Sequence, residues 1–444
     1  MIGIKNSTII SFDPPKVEEN IDIVIEKNII IDKGKDILKN YPEAQIIEKE
    51  KIVTSGIVCS HTHIYSALAR GLNVKIKKSK DFVQILQNLW WLLDRALDKE
   101  MVEVSAQVCA IEAILCGVTT LVDHHSSPNF IEGSLKTIKD NFEKIGIRSI
   151  LCYETTDRNG LDKAEIAVYE NEDFAKLIDD DKKKGNEIKN VRLTEAAIGA
   201  HAPFTLSDKT LKDLSKACEK TKRGIHIHIS EDRFEPSFSR FNFGKDPINR
   251  LNEFNLISNK SIIGHGVYIS EDEINLINEK DAFLIHNSRS NMNNNVGYNT
   301  FLYKYKNVAI GTDGINHDLI SEIQTAYFKN KDASGQISPY EFLKMLNNGN
   351  NILNRYFEDL RFGKIEKGYV ADLVVWDYNC PTPLISDNIA SHIIFGFNSG
   401  FVKTVIINGA IVLKDRKFNF DTKEIFENSQ KLAIRLAKNM ENMI

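Results

Sequence analysis

Between residues 57 and 313 the sequence carries eight short β-rich runs, most of them separated by stretches in which apolar residues recur at helical spacing. They are Ile57–His63, Thr119–His124, Arg148–Glu154, Ala196–His201, Gly224–His228, Ser261–His265, Ala282–His286 and Asn307–Asp313, numbered here as strands one to eight. Such alternation predicts a parallel sheet, because parallel neighbours need a crossover between them. Eight units predict a closed (β/α)₈ barrel of the TIM type, with its chemistry at the C-terminal strand ends where the βα loops project.

The chain ends read differently. Residues 1–55 alternate apolar and polar positions with turn residues between, as in Ile21-Asp22-Ile23-Val24-Ile25-Glu26 followed by Lys27-Asn28. The same texture returns in Ala371–Trp376 and Val405–Val412. We expect 1–55 and 360–420 to form one small composite β-sandwich around a barrel at 56–359, with a terminal helix at 421–444. No internal repeat is visible.

Composition narrows the class. The 444 residues are 42% hydrophobic, enough for a large core, and 57 Lys plus Arg against 61 Asp plus Glu give a net charge of −4. That balance lacks the basic excess nucleic-acid binding requires. No run approaches the roughly 18 apolar residues of a membrane span, and the N-terminus has no secretory pattern, so a cytoplasmic protein without membrane association is expected. The six cysteines form no C-x-x-C pair and read as reduced core residues; Cys59, two before His61, is the one with an alternative chemical reading. A homodimer is expected on general grounds.

Histidine placement carries the functional signal. Of 11 histidines, His61, His63, His124, His125, His201, His226, His228, His265 and His286 fall at or near predicted strand ends. Residues two apart on a strand share a face, so His61 and His63 can both look into the barrel mouth, as can His226 and His228. Asp313 ends strand eight in the same layer. A bare His-x-His is common, but His61, His63, His228, His265 and Asp313 together specify a metal site; imidazole and carboxylate donors suit Zn²⁺ and also Fe²⁺ or Mn²⁺.

These residues resemble the amidohydrolase superfamily in its deaminase and chlorohydrolase branch. The likeness rests on Gly56–His63, Gly117–Asp123, Ala200–Thr205, His226–Glu231, Gly264–Gly266, Ser290-Asn291 and Gly311–Gly314, and so spans nearly the whole chain. The resemblance implies the barrel and composite sandwich already expected. It also implies one divalent metal, Zn²⁺ first, held by His61, His63, His228 and Asp313, with Glu231, His265 and Asp313 handling protons and His201 binding substrate. Strand four has no lysine to bridge a second metal. The activity implied is hydrolytic deamination of a cyclic amidine, a purine, pyrimidine or pterin-like N-heterocycle. Dechlorination or cyclic-amide hydrolysis on the same site, and a barrel that has lost catalysis, are the alternatives.

Other residues carry weaker expectations. At most one of His124 and His125 should face the cavity, and counting along the strand favours His125. Trp90 lies in the long segment after strand one and reads as a lid over substrate or as ordinary packing. Arg158 and Arg289, just past strands three and seven, read as substrate anchors or as salt-bridge partners. Ser288-Arg289 stands where this branch usually has a proline-containing loop, and His317 follows Asp313 where relatives differ.

Overall fold

The computed structural model describes residues 1–188 and 192–444. Strand one is Ile57–Thr62, two Val118–His125, three Arg148–Tyr153, five Ile225–Ile229, six Ile262–His265, seven Phe283–His286 and eight Val308–Ile310; strand four is interrupted at Ala197, giving Thr194–Ala196 and Ile198–Ala200. Parallel pairing runs from one to the first half of four, and from its second half to eight. Two parallel bridges complete the ring, Thr155 with Ala200 and Thr62 with Asp313. At the second seam the N–H groups of Thr312 and Asp313 both donate to the His61 carbonyl at 3.0 Å. Gly311 permits this approach: a Cβ there would lie 2.8 Å from that same oxygen.

The barrel interior is a packed plug. Val58, Val122, Ile150, Cys152, Ala197, Ile262, Phe283, Ile285 and Ala309 share one cluster with Ile352 and Leu353 of the helix Pro339–Tyr356. The alternate residues, such as Cys59, Leu121 and Ile227, pack outward into the main core beneath the helices. Burial on both faces is why these strands read as nearly continuous apolar runs. The helices start where the sequence offers caps: the Asp98 side chain accepts from the N–H of Met101, and Ser338 forms a capping box with Glu341 ahead of Pro339.

Strand one departs from simple alternation. Cys59 pairs with Leu121 but Thr62 pairs with Asp123, so three steps on one strand oppose two on the other. This bulge inverts the inward phase. Val58 faces the interior below it, and His61 and His63 face the interior above it, while the Thr62 hydroxyl turns outward to the Asp313 carbonyl and His317.

Both chain ends contribute to one eight-stranded sheet. Ile2–Phe12, Pro15–Glu26, Ile29–Gly34, Gln45–Lys49 and Ile52–Ser55 come from the start of the chain, and Leu373–Trp376, Val402–Ile407 and Ala410–Leu413 from its end. Leu373–Trp376 joins the two contributions by antiparallel pairing with Ile52–Ser55. A buried ion pair ties this sheet to the barrel, the Arg148 guanidinium of strand three reaching Asp372 at 2.8 and 3.1 Å. The helix Lys423–Glu441 buries Leu432, Leu436 and Met440, four apart, on one face. No helix among the described residues is long and apolar enough to cross a membrane.

Candidate metal centre and active site

His61 and His63 from strand one, His228 from strand five, His265 from strand six and Asp313 beyond strand eight converge at the barrel mouth. His63 Nε2 lies 2.9 Å from Asp313 Oδ1 and 3.1 Å from His228 Nε2, and His61 Nε2 is 3.5 Å from the same Asp313 oxygen. Ligand atoms of His61, His228, His265 and Asp313 all lie within 4.8 Å of one another. His265 and Asp313 both hold left-handed backbone, φ 70° and 55°, as does Ser230 at 51°. Such conformations are costly for residues other than glycine and are concentrated at functional sites.

Each imidazole is oriented from behind. His63 Nδ1 donates to the His124 carbonyl at 2.7 Å and His228 Nδ1 to the His201 carbonyl at 2.9 Å. A carbonyl only accepts, so in the neutral rings both Nε2 atoms carry lone pairs, and these face each other across 3.1 Å. His61 shares a hydrogen bond with His226 Nε2 at 2.8 Å through Nδ1, and its own Nε2 is buried without a hydrogen-bond partner. Converging lone pairs, an orphaned ring nitrogen and a carboxylate are the donor set a divalent cation satisfies. Burial drives His61 down to about 3; burial also opposes charge on His63, but Asp313 outweighs it and raises that ring to about 9.

Glu231 sits opposite this cluster. Its Oε2 lies 3.5 Å from His265 Nε2, and its Oε1 accepts from Asn294 at 3.1 Å. Burial raises the Glu231 carboxyl, and the Asp313 charge adds to that, while His265 opposes it. His265 Nδ1 is held by Asn291 Oδ1 at 2.8 Å, and Ser290 Oγ donates to Asp313 Oδ2. Behind Glu231, the buried Glu235 carboxyl accepts the backbone N–H groups of Ser230 and Glu231.

These groups open into a cavity of about 530 Å³, counting its mouth, within the 300–1,000 Å³ range typical of small-molecule sites. His201, Trp90 and Arg158 line it, together with Trp91, Glu154 and Phe204. Its roof is the helical segment after strand one, in which a π-helical turn, Leu86–Trp90, interrupts the winding. Phe82 and Leu86 of this roof pack on Val267 and Val296 in a cluster separate from the main core.

Two expectations need correction. His125 turns away from the cavity and bonds Ser127 at 2.9 Å; His124 faces inward, its Nε2 on the Ala200 carbonyl and its Nδ1 3.4 Å from Glu154. The alternation was right and its phase wrong, because Val122 rather than Leu121 points into the interior plug. Arg289 lies outside the cavity lining, bonded instead to the buried Glu322 and to Asn316. Arg158 lines the cavity, but its guanidinium is paired with the buried carboxylates of Asp94 and Glu154.

Comparison with known proteins places the chain in a family. The Amidohydrolase family model matches residues 52–412. The chain belongs to the amidohydrolase family. Among relatives, the 5-methylthioadenosine/S-adenosylhomocysteine deaminase of Thermococcus sibiricus is 30% identical over 93% of this chain and 94% of its own. The 5'-deoxyadenosine deaminase of Methanocaldococcus jannaschii is 29% identical over 93% and 95%. Among solved structures, a zinc-bound adenosine deaminase from Xanthomonas campestris superposes with a TM-score of 0.81 at 20% identity, covering 98% of each chain. The zinc-complexed atrazine chlorohydrolase from Arthrobacter aurescens gives 0.80 at 18%, covering 98% of this chain and 100% of its own. At such identities the two superpositions establish the fold, a TIM-type amidohydrolase barrel.

Within this amidohydrolase site, sequence reasoning set His124 aside in favour of His125 and gave no individual role to Glu154, Asn294 or Glu235. Glu154 was visible as the last residue of run three, two beyond the inward Cys152. Glu235 had no comparable signal, since its role depends on a turn that alternation does not describe.

Proposed function

We propose that this protein is a metal-dependent aminohydrolase that removes the exocyclic amino group from a cyclic amidine, and that adenine nucleosides are its nearest substrate class. The reading is supported by the deaminase relatives and carried by one observation, the juxtaposition of Glu231, His265 and Asp313 over the histidine cluster.

His61, His63, His228 and Asp313 would hold one divalent cation, Zn²⁺ first and Fe²⁺ or Mn²⁺ compatible with the same donors. When bound, such a cation supplies Lewis-acid polarisation and brings the pKa of water from 15.7 to around 7. Glu231, raised by burial, holds a proton that it delivers to the ring nitrogen as water attacks the amino-bearing carbon. Asp313 Oδ2 accepts the proton the water gives up, and its bond from Ser290 keeps that oxygen in place. His265 Nε2 faces both carboxylates, so a proton it carries stabilises negative charge developing on oxygen. The proton taken up by Asp313 then passes to the leaving amine, the added oxygen returns its remaining proton to Glu231, and ammonia departs. His201, held by Thr205 at 2.9 Å, presents its other nitrogen as a hydrogen-bond partner for the substrate.

The chlorohydrolase alternative asks less of an acid at the leaving group. Chloride leaves as an anion and needs no proton, whereas an amine leaves only after protonation, so an intact Glu231–His265 pair favours deamination. Ammonia release from a panel of purine nucleosides, pyrimidines, pterins and triazines tests the reading, with metal-loaded Glu231→Gln as the blank. At least ~10²-fold loss is expected in that variant; equal activity would overturn the assignment of Glu231.

A further inference from the structure

A second depression adjoins the catalytic cavity and shares three of its walls, Trp91, Arg158 and Phe204. It encloses about 900 Å³, counting its open side. Its far wall is the helix Phe234–Phe243, whose Phe234 and Phe238, one turn apart, fall on one face, with Phe243 beyond them. The rings form a continuous edge-to-face series. Trp91 and Phe204 stand 6.0 and 5.7 Å from His201, Phe204 is 5.7 Å from Phe234 and 6.3 Å from Phe238, and Phe238 is 6.2 Å from Phe243. The line of aromatics thus starts at a residue of the catalytic cavity.

The charges along this groove are already committed. Arg158 is paired with Asp94 and Glu154. Asp157 accepts from the Ser207 N–H and the Thr210 hydroxyl, both at 2.6 Å. A phosphate or carboxylate entering the groove would meet no free cation among its lining residues, whereas a neutral ring would meet ring edges and faces at the spacing aromatic pairs prefer.

We infer that the groove is a specificity subsite for an uncharged aryl arm carried by the same molecule whose amino-heterocycle occupies the catalytic cavity. The inference rests on the aminohydrolase reading for its choice of probes, and its test separates the two. Metal-loaded protein is assayed for ammonia release with 5'-deoxyadenosine, 5'-benzylthio-5'-deoxyadenosine and adenosine 5'-monophosphate, and the three dissociation constants are measured by calorimetry on metal-loaded Glu231→Gln.

The benzylthio compound should bind at least about tenfold tighter than 5'-deoxyadenosine, and the monophosphate more weakly than either. Phe238→Ala should remove most of that gap, and Phe241→Ala, at a ring 89% exposed and outside the groove, should keep it. Equal constants for the first two probes in the Glu231→Gln protein overturn the subsite without recourse to further variants. So does undetectable binding of the benzylthio compound, or a gap that survives in Phe238→Ala. A gap that follows Phe238 while no probe releases ammonia leaves the subsite standing and removes the aminohydrolase reading instead.

Discussion

The carboxyl group of Glu235 accepts the backbone N–H of Glu231 at 2.8 Å and that of Ser230 at 2.9 Å, so one buried acid fixes the turn that aims another. Ser230 holds φ 51° within that turn, a conformation the two bonds help to sustain. In Glu235→Gln an amide group replaces one accepting oxygen and faces an N–H donor. We expect kcat to fall by about ten- to a hundredfold through misplacement of Glu231, with metal content unchanged and KM little altered. Unchanged kcat in a folded, metal-loaded variant would show that the turn holds itself.

Burial pushes the Glu235 carboxyl up to about 7 from 4.5. The folded state therefore binds this proton more tightly than the unfolded chain does. The stability it contributes is complete below about pH 4.5 and is lost as pH rises through about 7. The Tm of the wild type measured against that of Glu235→Gln should accordingly decline across this window. A difference that stays flat, or grows with pH, would contradict the assignment.

His61→Ala and His63→Ala each take one nitrogen from the cluster. Elemental analysis of the purified variants should give less than half the metal of the wild type, while Glu231→Gln retains a full complement. Removal of the metal by a chelator should abolish turnover, and adding back a divalent cation should restore it. Full occupancy in both histidine variants would place the ligands elsewhere.

Arg158 lines the cavity while neutralising two buried acids, and these roles predict different failures. Arg158→Met leaves Asp94 and Glu154 buried and unpaired with the guanidinium, which should cost about 3–5 kcal/mol in unfolding free energy. An arginine serving only as a substrate anchor would instead raise KM without lowering Tm. Denaturant unfolding alongside steady-state kinetics distinguishes the two.

Much of this site is written in strand ends. His61, His63, His201, His228, His265 and Asp313 close β-rich runs, and a βα barrel brings such ends together whatever the loops do. Phase along a strand is less legible. The bulge after Cys59 inverts strand one, and nothing in Cys59-Ser60-His61 announces it; on strand two the inward residue is His124 because Val122, not Leu121, fills the plug. Arg289 illustrates a second limit. Its position just past strand seven is readable, but its partner Glu322 lies 33 residues away on another helix, and only the packed chain shows that the charge is already satisfied there.

The seam between Thr62 and Asp313 joins residues 251 apart in sequence. Strand one carries His61 and His63, and their carboxylate lies across this seam, just beyond strand eight. Closing this seam is therefore also what brings the carboxylate to the histidines. Anything gripping His61 and Asp313 together acts as a clasp on that seam, and its binding energy is credited to the whole fold.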